Sequence, residues 1–452
     1  MSNHNAELSS SASRRAGLAG FLGTLIEYFE FISYGHLAVV ISPQFFPSDN
    51  RATSILSGLL VFASGYLVRP LGGIFFGWLG DRHGRKTALV ATVVIMGTAS
   101  VAIGVLPTYA AIGLFAPILL VAARLVQGFS AGGEIIGSAT YVTESAPQGK
   151  KGFYSALTPL GSTAGVGLAG IVAGIIALSV TSSEMSDWGW RIPFLLCLPL
   201  TLVTLWVRMG LEDSPEFRRM VEKFEIVKTP ALAAVRAYPK NIARVALFAM
   251  VVNIVGSVGT TYMTVYLIGT LEMPPAHTYL LLGSVLVFNG LGMLLAGRLM
   301  DRIGPVPVLA IGLVCSLAIA IPLFMLINTT TSLLALAPMM ALWQLATGTQ
   351  NPPMLGMATA LFPPHIRYSG AALAFNIGVI FGAGLTPSAT HFVVSVSGNS
   401  FAPAYLVMVA SLAGLVVLAL SRRSIDRAIG RTAVAAGAGA GLDEESTVKV
   451  TG

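Results

Sequence analysis

Five acidic or basic residues lie inside long apolar stretches of this sequence: Glu27, Glu30, Arg69, Arg124 and Glu134. Ionisable groups are costly in apolar surroundings and are therefore functional candidates by default. A carboxyl group held away from water can bind and release a proton, because burial disfavours its charged form. An arginine stays cationic and offers a planar fork of donors to a carboxylate. These residue types point to proton transfer and to the binding of an anionic group.

The first apolar run presents Glu27, Glu30 and Tyr34 at helical spacing, so the three share one helix face. Counting from Ala16 at about 1.5 Å per residue places Glu27 about 17 Å into a hydrocarbon core about 30 Å thick. Two carboxyls at that depth cannot both stay ionised without partners. We predict that at least one carries protons or contacts a substrate. Alternatively, each is a hydrogen-bond partner that locks the first helix.

Arg124 is the natural partner of these carboxyls. It either binds the carboxylate of a substrate or forms a permanent ion pair with Glu27, Glu30 or Glu134. Glu134 follows ten residues later, beside glycines that permit close helix contact. We expect Glu134 to couple protons, with a gating role as the alternative.

The amino-acid composition indicates whether the chain folds in water or in a membrane. Of its 452 residues, 54% are hydrophobic and 10% are Asp, Glu, Lys or Arg, against roughly 25% charged residues in a soluble domain. This excludes a water-soluble fold and predicts an all-α membrane protein. Twelve apolar runs are expected as helices, near residues 17–43, 54–80, 87–106, 111–143, 153–180, 190–210, 241–269, 278–299, 307–327, 333–360, 368–396 and 403–421.

The positive charges predict the orientation. If both termini are cytoplasmic, 23 of the 27 Lys and Arg fall on the cytoplasmic side, including those from Arg208 to Arg244. This gives a cytoplasmic N-terminus (1–16), a six-helix bundle (17–210), a cytoplasmic linker (211–240), a second bundle (241–421) and a disordered cytoplasmic tail (422–452). The net charge of +7 is explained in this way, and no basic stretch interleaved with aromatic residues indicates a nucleic-acid partner.

An internal repeat supports the division into two halves. Six positions correspond at an offset of 220 residues, five of them with the same residue type. This predicts that the chain is a duplicated six-span unit, an organisation typical of transporters that bind their substrate between the halves. The pairs are Gly77 with Gly297, Asp81 with Asp301, Arg82 with Arg302, Gly84 with Gly304, Arg124 with Gln344, and Gly128 with Gly348.

The loop of the first repeat reads Gly77-Trp-Leu-Gly-Asp81-Arg82-His-Gly84-Arg85-Lys86. Its acidic residue and its cations can hold one closed state together and separate in another. The alternative is that the charges only enforce topology. The recurrence at Asp301 and Arg302 favours a gate.

Glycines are spaced four residues apart in two of the predicted helices: Gly161 and Gly165, Gly170 and Gly174, and Gly378 and Gly382. Such pairs allow helix backbones to approach closely. The spacing is compatible with tight static packing and with a sliding surface.

The signature loop resembles that of the major facilitator superfamily, and further segments resemble its metabolite:proton symporter family. That family carries shikimate, 2-oxoglutarate, citrate, other organic acids, and proline or betaine. The resemblance implies two six-helix bundles and adds Gln127 and Asn376 to Tyr34, Arg124 and Gln344 as candidate substrate-binding residues. The matching segments include Glu27-Tyr-Phe-Glu30-Phe, Arg69-Pro-Leu-Gly-Gly73, Arg124-Leu-Val-Gln127-Gly128, Trp188-Gly-Trp-Arg191-Ile-Pro-Phe194 and Arg367-Tyr-Ser-Gly370.

Some positions depart from the family pattern. Tyr28 and Glu30 stand where the family usually has Trp and Asp, and Phe375 replaces a Tyr. In the second signature loop, residues 305–307 (Pro-Val-Pro) replace basic residues, which suggests a weaker gate in the second half. The absence of a coiled-coil tail argues against the osmosensing betaine type.

The sequence thus predicts a monomeric proton-coupled symporter that imports a small organic acid across the inner membrane. Glu27 or Glu30 would carry the proton, and Arg124 would bind the substrate carboxylate. The partners would be the substrate, protons and the bilayer. The first alternative is an exporting proton antiporter. A receptor or a membrane enzyme is a further alternative, although no nucleophile–base or metal constellation is visible, and no cofactor is expected.

Overall fold

The computed structural model describes residues 2–147, 149–210, 230–363 and 366–448. Side chains are described from residue 15 to residue 428, apart from those at positions 81, 85, 144 and 230, and excluding the gaps. Within these ranges the secondary structure is helical and contains no β-strand, so the all-α prediction is confirmed.

The N-terminal half forms six apolar segments, which we number as spans 1 to 6. Span 1 bends by 64° between its two helices. The helices are Ser2–His36 and Ala38–Phe45 (span 1), Arg51–Leu67 and Arg69–His83 (span 2), Arg85–Val105 (span 3), Phe115–Glu144 (span 4), Lys151–Ser155 and Leu157–Ser179 (span 5), and Ile192–Met209 (span 6). Short helices Tyr109–Ile112, Ser182–Asp187 and Gly189–Arg191 lie between spans.

The C-terminal half contributes spans 7 to 12. Spans 7 and 11 contain π-helical turns at Val258–Tyr262, Tyr266–Thr270 and Ile380–Gly384. The α-helices are Pro239–Ser257 and Met263–Val265 (span 7), Pro275–Ile303 (span 8), Pro305–Thr329 (span 9), Leu333–Gly348 and Asn351–Ala360 (span 10), Arg367–Val379 and Leu385–Ser397 (span 11), and Ala402–Val448 (span 12).

Ten of the described helices are long and apolar enough to cross a membrane, and the bent span 1 would be an eleventh. Span 10 is broken at Thr349 and Gln350 into helices of 16 and 10 residues. Each piece alone falls short of the roughly 20 residues that a crossing needs. Twelve crossings are consistent with this structure and stay a prediction.

The repeat has a structural counterpart in two tight turns. Gly84 and Gly304 join spans 2 and 3 and spans 8 and 9, with φ angles of 102° and 81°. Both conformations lie in the region that favours glycine. The two halves therefore make the same turn at positions 220 residues apart.

Most of the predicted linker, residues 211–229, lies outside the described part of the chain. A helix at Pro230–Ala237 precedes span 7. The last helix continues through Val448, into the segment for which we predict disorder, and residues 449–452 lie outside the described part.

Candidate functional site

Acidic and basic side chains are distributed unequally between the two halves. Among the described side chains, every buried Asp, Glu, Lys or Arg belongs to the N-terminal half: Glu27, Glu30, Arg69, Arg124, Glu134 and Arg208. The buried polar residues of the C-terminal half are histidine, amides and hydroxyls. The five ionisable residues singled out from the sequence are all buried, and Arg208 joins them.

Glu134 forms a buried ion pair with Arg208 across spans 4 and 6. Both side chains are 2% exposed. Nη1 of Arg208 donates to Oε2 of the carboxylate at 3.0 Å, and Nη2 donates to Oε1. The Thr92 hydroxyl also donates to Oε2, at 2.7 Å. Arg208 lies in the last turn of span 6, and its side chain is buried in the bundle instead of extending into the linker; its count on the cytoplasmic side stays a prediction.

Glu30 is connected to Arg124 through a chain of hydrogen bonds. Its two carboxyl oxygens accept from Ser100 at 3.1 Å and from Thr201 at 2.9 Å. Gln127 donates to the Ser100 hydroxyl at 2.7 Å, and Arg124 donates to the Gln127 carbonyl oxygen at 2.7 Å. Three predicted site residues therefore form one network, although Arg124 forms no ion pair with a described carboxylate.

Aromatic rings surround the two arginines. The guanidinium of Arg124 lies 4.1 Å from the Phe31 ring centroid and 4.7 Å from that of Tyr34. Arg69 lies 4.5 Å from the centroids of Phe31 and Tyr66. Such contacts stabilise a desolvated cation by about 2 kcal/mol each. Tyr34 and Arg124, two of the predicted substrate-binding residues, are thus in contact through the ring.

The three predicted proton-coupling carboxyls border one small cavity. Glu27, Glu30 and Glu134 line it together with Thr92 and Ser130, and its volume is about 10 Å³. That is about the room one water molecule requires. Both carboxyl oxygens of Glu27 are buried without a hydrogen-bond partner among the described residues. The arrangement places a carboxyl where a proton can be held away from the bilayer.

A larger cavity of about 110 Å³ lies between the halves. Its polar wall consists of hydroxyl and amide side chains, and its aromatic wall consists of Tyr28, Tyr66 and Phe375. No Asp, Glu, Lys or Arg is among the described residues that line it. Of the predicted substrate-binding residues, Gln344 lines this cavity, whereas Tyr34, Arg124, Gln127 and Asn376 do not.

A chain of hydrogen bonds along the cavity wall connects the two halves through one of its bonds. Thr163 of span 5 donates to Oδ1 of Asn289 in span 8 at 3.0 Å. The Asn289 amide donates to Gln344 at 3.0 Å and to Thr347 at 2.9 Å. Gln344 in turn donates to the Gly259 carbonyl oxygen, in a π-helical turn of span 7, at 2.8 Å. Asn289 was missed by the sequence reasoning, although its offset of 220 from Arg69 was a usable signal.

The halves also touch at the inner end, which we define as the end where spans 2 and 3 and spans 8 and 9 connect. Asn376 donates to the Gly132 carbonyl oxygen, and Tyr368 donates to that of Gly133, both at 2.6 Å. Asp301 accepts from the backbone N–H groups of Gly152 at 2.8 Å and Phe153 at 3.2 Å. Asn376 therefore joins the halves here, and its substrate role stays a prediction.

The first signature loop lies at the same inner end. Lys86 donates to the Met209 carbonyl oxygen at 2.6 Å, and the Arg82 guanidinium lies 5.7 Å from the Trp78 ring centroid. Gly77 packs against Ser369 of the other half. Arg302 is exposed, and the side chains of Asp81 and Arg85 lie outside the described part of the chain. A gating role for this loop stays a prediction.

At the opposite, outer end, His36 and Arg51 contact the second half. Nδ1 of His36 lies 3.0 Å from the Thr264 hydroxyl, and Nε2 lies 3.2 Å from the Val166 carbonyl oxygen. The exposed pair Arg51 and Glu272 is separated by 3.6 Å. Contacts between the halves thus exist on both sides of the central cavity.

A central cavity between two repeated six-span halves is the geometry of a known class of membrane proteins. The sequence model of the Major Facilitator Superfamily matches residues 20–387. The chain belongs to the major facilitator superfamily. This facilitator is a secondary transporter, and the resemblance drawn from its motifs is confirmed.

Named relatives lie within the same family. The glycine betaine/proline/ectoine/pipecolic acid transporter OusA of Dickeya dadantii (strain 3937) is 37% identical over 418 residues, covering 89% of this chain and 82% of the relative. The proline/betaine transporter of Escherichia coli (strain K12) is 36% identical over 430 residues, covering 92% and 84%. A putative proline/betaine transporter of Staphylococcus aureus (strain COL) is 33% identical over 407 residues, covering 90% and 87%.

Solved structures share the fold of this facilitator. The proton:xylose symporter XylE bound to 6-bromo-6-deoxy-D-glucose superposes with a TM-score of 0.75, over 92% of this chain and 96% of that one, at 19% identity. A partially occluded inward-open form of XylE from E. coli gives a TM-score of 0.70, over 91% and 98%, at 19% identity. At this identity the likeness concerns the fold.

Proposed function

We propose that this transporter takes up a small zwitterionic solute of the proline and betaine type together with protons. The observation that carries the proposal is the central cavity, whose described lining has aromatic, amide and hydroxyl groups but no ionised side chain. The sequence relatives are named for proline and betaine, which supports the same choice.

The charge of the cavity distinguishes a zwitterion from an anion. A solute with a net charge would give up its hydration without gaining an opposite charge on the wall, and unpaired burial of an ion is costly. A zwitterion brings both charges itself. Amide and hydroxyl donors can bind its carboxylate, and aromatic rings attract a quaternary ammonium group. We therefore replace the organic acid of the sequence analysis by a zwitterion, and Arg124 is no longer proposed to bind its carboxylate.

Proton coupling is assigned to the carboxyls of the N-terminal half. Glu134 is neutralised by Arg208, whereas Glu27 has no bonded partner among the described residues and Glu30 has two hydroxyl donors. Glu27 and Glu30 are therefore the preferred carriers. A proton on either changes the charge balance against Arg69 and Arg124. We propose that this balance biases the rocking of the halves, the motion expected of a fold with repeated bundles.

The driving force depends on the charge of the solute. One proton entering with a zwitterion carries one positive charge inward. Uptake then gains about 1.4 kcal/mol, or tenfold, per pH unit, and a further 2.3 kcal/mol or so per 100 mV of membrane potential. One proton entering with a monoanion moves no net charge. Electrogenic transport is thus the signature of the proposed reaction.

Purified protein in liposomes tests this function. Labelled proline and glycine betaine should accumulate when the lumen is more alkaline than the bath, and an inside-negative potential should increase the accumulation. Solute-dependent inward current should accompany uptake. Accumulation of solute above the bath concentration with neither a pH difference nor a membrane potential would contradict proton coupling. An inward proton gradient that drives solute out of the liposomes would identify the antiporter instead.

We further propose that the protein is a monomer of the plasma membrane with both termini in the cytoplasm. The excess of Lys and Arg on one side of the predicted spans supports this orientation. Protease protection of terminal tags in right-side-out and inverted vesicles tests it, because both tags should be cleaved only in inverted vesicles.

A further inference from the structure

The repeat pairs two of the three buried arginines of the first half with two amides of the second. With the offset of 220 residues, Arg69 corresponds to Asn289 and Arg124 corresponds to Gln344. The arginines lie among aromatic rings inside the N-terminal half. The amides line the central cavity. Equivalent positions of the duplicated unit thus carry charge on one side of the molecule and neutral hydrogen-bonding groups on the other.

Asn289 connects the uncharged polar residues of the cavity wall. It is 6% exposed, and its oxygen accepts from Thr163 while its nitrogen donates to both Gln344 and Thr347. The bond with Thr163 joins the two halves, whereas the other two bonds join spans 8 and 10. Replacement by a residue that cannot both donate and accept would leave at least one of these groups unsatisfied.

A second asparagine provides a built-in comparison. Asn253 of span 7 also lines the cavity, but its amide donates to the Ala249 carbonyl oxygen of its own helix at 2.8 Å. It therefore makes no described bond between spans. An aspartate at either position adds one negative charge to the lining, but only Asn289 is fixed by bonds to two other spans, so the inference requires a larger shift at position 289 than at position 253.

We infer that Asn289 determines the charge selectivity of the transporter, by anchoring an uncharged wall that accepts solutes with no net charge. This rests on the proposed uptake of a zwitterion and adds the residue that selects it. A carboxylate at position 289 would repel the carboxylate of the solute and attract its cationic end. It would also accept hydrogen bonds only, so the bonds to Gln344 and Thr347 would have to rearrange.

Competition for uptake tests the inference. Wild-type protein in liposomes should take up labelled glycine betaine and be inhibited weakly by choline, which keeps the quaternary ammonium group but has no carboxylate. In Asn289→Asp, we expect KM for betaine to rise at least tenfold and inhibition by choline to strengthen at least tenfold. Asn253→Asp adds the same charge to the lining without breaking the network and should change each quantity severalfold less than Asn289→Asp does. Asn289→Ser, which stays neutral, should raise KM without favouring choline.

The outcomes distinguish a failure of this inference from a failure of the proposed function. If the wild-type protein takes up neither betaine nor proline, the proposed function is wrong. If it does, and Asn289→Asp keeps the wild-type preference for betaine over choline, the inference is overturned. It is also overturned if Asn253→Asp shifts the preference equally. Should Asn289→Asp fail to insert, Gln344→Glu places the charge on its bonded neighbour, and the same shift toward choline is required.

Discussion

The three buried arginines of the N-terminal half are held in different ways. Arg208 is paired with a carboxylate, Arg124 combines a hydrogen bond to Gln127 with ring contacts, and Arg69 lies between two rings. An ion pair neutralises a cation, whereas aromatic rings only reduce the free-energy cost of its desolvation. Arg69 and Arg124 therefore remain sources of positive charge to which a nearby carboxyl can respond.

The ion pair gives a stability prediction. Glu134→Gln leaves the Arg208 cation buried without its carboxylate, and removal of one partner from a buried pair costs about 3–5 kcal/mol. The thermal unfolding midpoint of purified protein in detergent should fall clearly. Asp426→Asn, in the exposed Arg422–Asp426 pair at 3.9 Å, is the control and should cost at most about 1 kcal/mol. Equal midpoints for the two variants would contradict the structural role assigned to Glu134.

The proton carriers give a functional prediction. Glu30→Gln and Glu27→Gln remove a titratable carboxyl but keep its size, so at least one should abolish accumulation driven by a pH gradient. Exchange of labelled for unlabelled solute at equal pH needs no net proton movement and should persist. Parallel measurement of accumulation and exchange checks this. Wild-type accumulation in both variants would show that neither carboxyl couples protons.

The burial of five of the six buried charged residues was predicted from the sequence, but the burial of Arg208 and the pairing of these residues were not. Arg208 ends an apolar run and directly precedes the polar linker. Whether such a residue faces a loop or the bundle depends on the rotation of span 6, which an apolar run does not encode. The hydrogen-bond chain from Glu30 to Arg124 passes through Ser100 on span 3 and Gln127 on span 4, the span that also carries Arg124. A serine in an apolar run gives no indication in the sequence that it will bridge two other side chains.

At the scale of elements, the glycine pairs in the sequence predicted close helix contacts but did not indicate which helices make them. Gly161 and Gly165 pack on the backbone of span 1, whereas Gly170 and Gly174 pack on span 8. Span 5 therefore joins its own half through one glycine pair and the other half through the next. The assignment needed the structure, because each pair has the same spacing.

The contact between spans 5 and 8 can be tested at Gly283. A Cβ there would lie 2.8 Å from the Gly167 carbonyl oxygen and 2.9 Å from the Ile171 backbone nitrogen, so the two spans must separate. Gly283→Ala should lower the initial rate of uptake at least severalfold. In Gly290→Ala on the same helix, the new methyl meets only the end of the Leu160 side chain. A transport rate near that of the wild type is expected there. Equal uptake rates in both variants would show that close contact between spans 5 and 8 is not required for transport.

At the scale of the molecule, the two halves contact each other at both ends. The inner end has Asp301 on two backbone N–H groups together with the buried bonds of Asn376 and Tyr368. Among the described residues, the outer end has contacts of His36, of His391 with the Ala52 backbone, and of the exposed Arg51–Glu272 pair. Asp301 is exposed, so water screens its bonds in part, but it makes two of them to backbone groups of the other half, whereas an exposed ion pair contributes about 0–1 kcal/mol. Loss of Asp301 should therefore shift the population toward opening at the inner end.

Thiol labelling can follow this shift. With Cys197 and Cys315 replaced by serine, a cysteine at the cavity residue Ser257 should react faster from the inner side when Asp301→Ala is present, by tenfold or more. Glu272→Ala removes the exposed outer pair and should change inner labelling by less than about twofold. Slower or unchanged labelling in Asp301→Ala would show that this contact does not hold the inner end closed.

The ion pair between Glu134 and Arg208 also bears on how the protein is made. Synthesis proceeds from the N-terminus, and 74 residues separate the two partners, so span 4 enters the bilayer before its arginine exists. A lone carboxylate inside a membrane helix costs up to about 2.5–3.5 kcal/mol, the value for the helix centre, and Glu134 lies between the centre and the inner end of span 4. A proton or the Thr92 hydroxyl of the earlier span 3 can stabilise Glu134 until span 6 is inserted. We therefore expect insertion of the nascent chain to depend on pH and on the rate of translation.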